Sequence, residues 1–403
     1  VGWRLSEERF MDSFDFVDDF KLRASYGIVG NSNIADFASR TLFGGGQYAE
    51  LNGLSPTQVG NTNLKWESST KLDIGFDMAV LQDRIGLTFD YFYTNVSDLV
   101  LDAPVLRTTG IPGASVTTNI GSMYNKGVEF SLNTTNIKKN GFVWSSSFNF
   151  SKIKNEITSL YNDVPVVSGN SEAAVGQSIG EFKLIRWAGV NPENGNAIFL
   201  AKDGTKKQYS PVTQKYYLMD GAATSDITAN DAVFAGNPYP KWFGGFDNTF
   251  TYKGFDLGVF FQYSGGNKIY NQTRQSLMTN YLNNNLTEIK DRWQKPGDVT
   301  NVPMLYLQDN ISTRASTRWL EDGDFLRLRQ LSLGYNVPSA MVNRVGLNNL
   351  RVYGQVQNVF VLTKYSGVDP EVNTNRDVNI AYGVDNRSVP QARSFTVGVS
   401  VGL

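Results

Sequence analysis

The sequence predicts an all-β chain: a transmembrane antiparallel β-barrel of about twelve strands with long extracellular loops. Three observations carry this. Apolar residues recur with period 2 over unusually long stretches. The connections between those stretches alternate short and long. And no run of apolar residues reaches the roughly 18 that a transmembrane helix needs.

The strands follow in order from the alternation. Residues 71–80 place Leu72, Ile74, Phe76, Met78 and Val80 on one face, against Lys71, Asp73, Gly75, Asp77 and Ala79. Residues 84–94 set Ile85, Leu87, Phe89, Tyr91 and Tyr93 against Gly86, Thr88, Asp90, Phe92 and Thr94. Residues 255–263 set Phe255, Leu257, Val259, Phe261 and Tyr263 against Asp256, Gly258, Phe260 and Gln262. The C-terminal stretch sets Phe395, Val397, Val399, Val401 and Leu403 against Thr396, Gly398, Ser400 and Gly402. Less regular versions run over 20–29, 126–134, 141–151, 242–252 and 350–360, and weaker ones over 179–188 and 196–201. Residues 325–335 change phase midway: Leu326 and Leu328 alternate, then Leu331, Leu333 and Tyr335, as a β-bulge would produce. Many of these stretches are about ten residues long, enough for a tilted strand to cross a bilayer. Soluble strands average about five or six.

The long connections are 30–70, 95–125, 152–178, 202–241, 264–324 and 361–392, and the short ones are 81–83, 135–140, 189–195, 253–254 and 336–349. Outer-membrane barrels alternate in this way because turns face the periplasm and loops face outside. The stretch 196–201 is counted partly because the alternation requires it; the turn Asn191–Gly195 beside it is a strong breaker in its own right. Tyr91, Tyr93, Trp242 and Tyr263 fall near outer strand ends, and Trp144, Tyr252 and Tyr335 near inner ends, as two interfacial girdles require. The clearest lipid-side phases lack charge, where a midplane Lys or Arg would cost about 2–4 kcal/mol. The lumen-side phases hold Lys71, Asp73, Asp77, Asp90, Glu129, Asp256 and Arg351. A soluble β-sandwich would share the alternation, but not the long strands or the regular loop pattern.

Composition narrows function. With 37 basic and 38 acidic side chains there is no basic excess for a nucleic-acid partner. The absence of cysteine and histidine removes thiol chemistry, a Ser-His-Asp triad and a His-based zinc site. No targeting signal opens at Val1-Gly2-Trp3, so a processed product or a piece of a longer protein is expected.

Several segments resemble the C-terminal half of SusC/RagA-type TonB-dependent outer-membrane transporters. They include Asn63-Leu64-Lys65-Trp66-Glu67, Asp90-Tyr91-Phe92-Tyr93 and, most specifically, Asn119-Ile120-Gly121-Ser122-Met123-Tyr124-Asn125-Lys126-Gly127-Val128-Glu129-Phe130. Tyr252-Lys253-Gly254-Phe255-Asp256, Leu320-Glu321-Asp322-Gly323-Asp324-Phe325-Leu326-Arg327, Gln357-Asn358-Val359-Phe360 and Gly367-Val368-Asp369-Pro370-Glu371 follow in the same order. The resemblance spans essentially the whole chain. It implies part of a 22-stranded barrel plugged by an N-terminal domain. It also implies energy from the TonB complex, a SusD-like surface lipoprotein as partner, and import of oligosaccharides or peptides across a Bacteroidetes-like outer membrane. Residues 1–403 would then be the C-terminal portion of the barrel, with plug and first strands absent. Members commonly end in an aromatic residue, whereas this chain ends at Leu403.

No catalytic, cofactor or metal site is expected, and no substrate-binding residue is singled out. The acidic pairs Asp322/Asp324 and Asp369/Glu371 read first as solvated loop charge or turn chemistry, ahead of a calcium site or a glycosidase pair. Gly44-Gly45-Gly46 lacks the Lys-Ser/Thr of a phosphate loop and reads as loop flexibility. In 267–295, Asn271, Asn280, Asn283, Asn284 and Asn285 lie among Tyr270, Tyr281 and Trp293. That suits an ordinary polar surface loop, with direct sugar contact as the alternative. Two other classes stay open: a passive or adhesive twelve-stranded barrel without a plug, and an outer-membrane or secreted carbohydrate enzyme.

Overall fold

The computed structural model describes residues 1–402 except 33, 35, 280–283, 376 and 377. Eleven strands form one antiparallel sheet, each paired with its neighbour in sequence order among them. They are β1 (Gly2–Arg4), β2 (Val17–Asn31), β3 (Glu67–Val80), β4 (Ile85–Ser97), β5 (Gly121–Lys139), β6 (Phe142–Leu160), β7 (Trp242–Tyr252), β8 (Phe255–Gly265), β9 (Phe325–Asn336), β10 (Asn349–Thr363) and β11 (Ser394–Gly402). Apart from β1 these are 9 to 19 residues long, which is membrane-crossing length. The sheet is an open arc in this chain, running from β1 to β11 without closing, so the self-contained twelve-stranded barrel is not formed.

The two faces follow the sequence periodicity. Phe76 lies opposite Leu22 and Phe89, Phe89 opposite Phe130, and Phe130 opposite Phe150, one apolar row across five strands. The opposite phase carries Arg23, Asp77, Asp90 and Glu129. Aromatic rings gather at both ends of the apolar face. Phe255 and Tyr335 lie 4.4 Å apart at the inner end, where Trp144 also stacks on Phe250. Trp242 packs on Tyr263 at the outer end. Among the described residues no helix is long and apolar enough to cross a membrane.

Inner turns are tight because their sequences allow positive φ. Asn140 and Gly141, and Lys253 and Gly254, all adopt it, as the two-residue type I′ hairpin requires. The phase change in β9 is a bulge at Arg329: Leu328 pairs with Phe360, but Gln330 pairs with Gln357. Leu328 before the bulge and Leu331 after it keep their apolar side chains outward, while Arg327, Arg329 and Gln330 share the inner side.

Two of the expected strands are not in the barrel. Residues 179–188 and 196–201 belong to the outer connection between β6 and β7, which spans 161–241. There Glu181–Leu184 joins a four-stranded sheet with Val166–Ser168, Ser171–Ala173 and Val233–Gly236. Arg186–Val190 and Ala197–Leu200 form a second sheet with Lys206–Ser210 and Lys215–Leu218. Their alternating apolar residues, Phe182, Leu184 and Phe199, are buried in the loop's own cores instead of facing lipid. Removing a pair of strands preserves the short/long alternation, so the pattern could not expose the error. Gly44–Gly46 is likewise not a flexible loop: it lies in a strand, Leu42–Tyr48, paired with Leu51–Gln58.

Gly75 sits in β3 between Arg23 of β2 and Asp90 of β4, on the charged face. A Cβ there would fall 2.5 Å from the Phe89 carbonyl oxygen and nearer still to the Asp90 carboxylate. Gly75→Val in the full-length protein is therefore expected to destabilise the barrel by about 1–3 kcal/mol. A lowered urea midpoint, read as loss of the compact unheated gel form, is the measurement; an unchanged midpoint would refute the crowding.

Candidate functional site

The inner wall and its outer mouth gather the charged side chains. On the wall, Arg23 bridges Asp77 at 2.7 Å and Asp90 at 2.8 Å. Farther round, Arg351 of β10 meets Asp256 of β8 at 2.6 Å. The Arg23–Asp90 and Arg351–Asp256 pairs each reach across a middle strand, and a glycine on that strand makes room: Gly75 in the first case, Gly334 in the second. These side chains are partly exposed, so their worth to stability is small. Their consequence is a polar lining with fixed charge positions. Lys71, Asp73 and Glu129 lie on the same inner phase, as expected.

At the mouth, the last outer loop is clamped to β9. Arg327 is ion-paired to Asp369 at 2.6 Å and to Glu371 at 2.7 Å, with both Arg327 and Asp369 side chains only 4% exposed. Arg329, placed inward by the bulge, adds Glu371 at 3.1 Å, and donates to Asn358 and Gln391. Asn358 takes φ +54° to present its amide there. Asp369/Glu371 are thus not solvated loop charges, because the buried Arg327 and the partly exposed Arg329 on the wall hold them; Asp369 also accepts from the Glu371 backbone N–H at 3.0 Å, which is turn chemistry. Asp322 is ion-paired to Lys268, and Asp324 accepts from the Gly266 backbone N–H at 2.7 Å; both contacts tie together the two ends of one long connection and are neither solvated charge nor turn chemistry. Among the described residues no acidic cluster has metal-binding geometry.

A cavity of about 270 Å³ lies beside this clamp, lined by Phe243, Gln262 and Glu371 from the wall and loop, with Asn267, Phe325 and Tyr382. A larger one, of about 560 Å³, opens between the 266–324 and 364–393 connections, with Asn271, Arg274, Leu286, Val368, Asp385 and Arg387 in its lining. Both combine apolar and polar groups, as pockets for small polar ligands do.

The 267–295 segment is more ordered than a plain surface loop. Tyr270 is fully buried in a core with Phe182, Met278 and Trp319, so its ring is no sugar platform. Burial lifts its phenol well above the usual range. Asn271 caps a short helix by accepting from the Arg274 N–H, and Trp293 donates to the Pro192 carbonyl. Asn284 and Asn285 are described, whereas Asn280, Tyr281 and Asn283 lie outside the described residues. Arg274 grips Glu288 through two hydrogen bonds, at 2.8 and 2.7 Å, and also pairs with Glu321. That grip holds the Glu288 carboxyl below its ordinary value. Arg318 lies sandwiched between Trp187 and Trp319, 4.9 and 4.4 Å from the ring centres. It is 9% exposed, and desolvation lowers its pKa to about 10. Sequence reasoning missed these arginines, since no short-range pattern marks partners as distant as Glu321 within the same connection or Trp187 in another.

A long-stranded antiparallel sheet with a charged inner wall, an apolar outer face and two aromatic girdles defines an outer-membrane β-barrel. The chain belongs to the TonB-dependent receptor β-barrel family, whose model, described as TonB dependent receptor-like, beta-barrel, matches residues 9–359. It is 32% identical along its whole length to TonB-dependent receptor P3 of Formosa agariphila, covering 41% of that protein. It is 28% identical to TonB-dependent receptor SusC of Bacteroides thetaiotaomicron, again over the whole chain and 39% of the relative. The chain thus spans about two fifths of the curated relatives it matches. The RagAB peptide transporter structure superposes with a TM-score of 0.84 at 24% identity, over the whole chain and 43% of its own, which establishes the shared fold.

Two outcomes follow from the clamps. Arg327→Gln should leave Asp369 buried without its cation, a change worth about 3–5 kcal/mol. Faster protease cleavage within 364–393, with the barrel strands still protected, is expected; unchanged cleavage would refute the clamp. The depressed Glu288 pKa means its pairing stabilises the loop above the ordinary carboxylate value of 4.5. That contribution is lost as pH falls through the lowered folded value. Amide exchange in 284–324, corrected for intrinsic pH dependence, should rise on acidification in the wild type. Glu288→Gln should show the loosened state already at neutral pH; equal profiles would refute it.

Proposed function

We propose that the protein containing this chain imports oligomeric nutrients, oligosaccharides or peptides, across the outer membrane with energy from TonB. In this reading it is the SusC-like barrel of a complex lidded by a SusD-like surface lipoprotein, and an N-terminal plug precedes these strands. The carrying observation is the mouth: outer connections with their own hydrophobic cores, locked to the inner wall by buried arginine–carboxylate pairs. A passive pore requires no such built exterior, whereas a surface that seats a lid and presents substrate does. The relatives named SusC and TonB-dependent receptor support the same reading.

The test is uptake by cells lacking the full-length gene, compared with the complemented strain and with TonB-depleted cells. Labelled oligosaccharides and labelled peptides are supplied in parallel arms. Loss of uptake of one class in both the deletion and the TonB-depleted strain is expected, together with co-purification of a surface lipoprotein. Uptake that survives TonB depletion would point to the passive barrel and end the proposal.

A further inference from the structure

Beyond its inner aromatic row, which Lys139 shares with Phe142 and Tyr252, the outward face of the sheet carries charge in one place. From there to the outer strand ends, and among the described residues, the outward-phase positions of β2 to β11 are apolar, aromatic, small or neutral polar, with four exceptions. These are Lys126 on β5 and Lys152, Lys154 and Glu156 on β6. The register brings them together. Lys126 lies directly opposite Lys154, with Tyr93 on its other side. Lys152 lies between Val128 and Trp242, one outward position below Lys154. Glu156 lies opposite Tyr124.

Two like charges facing each other across adjacent strands are unfavourable without a counter-charge. Glu156 supplies one: Lys154 reaches it at 2.7 Å, and the Tyr124 hydroxyl donates to it at 2.8 Å. Lys126 forms no ion pair of its own among the described residues and lies over the face of Tyr124, 5.0 Å from its ring centre. Among the described residues Lys152 makes no ion pair or side-chain hydrogen bond, and it is exposed. The cluster therefore presents two uncompensated ammonium groups beside Tyr93, Trp242 and Tyr263. Other outward polar groups behave differently: Asn136 donates to Ser146, and Ser146 and Trp144 donate to Asn248, a network that satisfies itself. Lysines that merely extended to the interface would be spread over many strands; these occupy two. The strands are interior to the sheet, paired on both sides, so whatever completes the barrel leaves this face outward.

We infer that Lys126, Lys152 and Lys154 form a binding site for the phosphate of an outer-leaflet lipid headgroup. Basic side chains at the edge of a membrane-facing surface recognise anionic headgroups by direct charge pairing. The flanking aromatic rings would lie against the upper acyl chains, in the zone where such rings settle. The site concerns the barrel's lipid contact and holds whatever the protein transports.

The test uses the full-length protein extracted in mild detergent and analysed by native mass spectrometry. Wild type is compared with K126Q/K152Q/K154Q and with K126R/K152R/K154R. Wild type and the arginine variant should retain a phosphorylated glycolipid, and the glutamine variant should retain roughly tenfold less. Delipidated wild type should then reload with lipid A but not with enzymatically dephosphorylated lipid A, a comparison that needs no variant to fold. Equal retention by the glutamine variant, equal loading of the two lipids, or a second protein copy on this face in place of lipid would overturn the inference.

Discussion

The structure depends first on the need of a backbone in lipid to pair its own N–H and C=O groups. A sheet meets that need only if its strands run unbroken through the hydrocarbon. That explains why β5 and β6 extend for 19 residues, and why sequence neighbours in the sheet are also spatial neighbours. Period 2 then assigns every residue to lipid or lumen, and a single slip would invert the wall. The bulge at Arg329 shows how such a slip is contained. β9 gains one residue and β10 gains two, so the apolar phase resumes correctly on both strands. The displaced side chain is turned inward to a carboxylate.

With the strands committed to lipid on one side and water on the other, the sheet has little interior of its own. The larger buried hydrophobic cores lie instead in the outer connections, with a smaller one where Ile157 and Leu160 at the outer end of β6 meet Ala173. Phe182, Leu184, Tyr270, Met278, Val302 and Trp319 pack into one, and Ile185, Phe199, Tyr209 and Tyr216 into another. A loop folded around its own core must still be fixed to the barrel. Here charge does that: Arg327 and Arg329 from the wall hold the last loop, and Arg274 holds two points of the 266–324 connection together. Removing one member of a buried pair costs far more than the pair contributes over an apolar replacement. These contacts therefore fix position more than they add stability.

Ten of the twelve expected strands were legible because each obeys a rule that acts locally. Alternation, tight inner turns and terminal aromatics are all written within about ten residues. Even the bulge was visible, as a phase change between Leu328 and Leu331. The expected strands 179–188 and 196–201 were misplaced because alternation states only that one face is apolar. Phe199 buried against Tyr209 and Tyr216 has the same sequence signature as a side chain facing acyl chains. Asp369 and Glu371 read as solvated because their partner Arg327 lies about forty residues earlier on a different element, and nothing local marks it. Gly44–Gly46 was read as loose for want of any side chain to suggest a hairpin partner.

The glycines at 75 and 334 join these two levels. Each lies on a middle strand where the lumen-side position would otherwise hold a side chain. Leaving it empty lets an arginine and an aspartate two strands apart meet over the gap. The sheet's own hydrogen bonds link only adjacent strands, so such pairs tie triplets together and oppose shear between them. Arg351 meets one aspartate there, and Arg23 meets two. On the lipid face the same arithmetic gives the opposite result. There Lys126 and Lys154 face each other directly, with no glycine between them and one carboxylate for three ammonium groups. A lipid face that sets three ammonium groups around one carboxylate near its outer edge is completed by an anion from outside the chain.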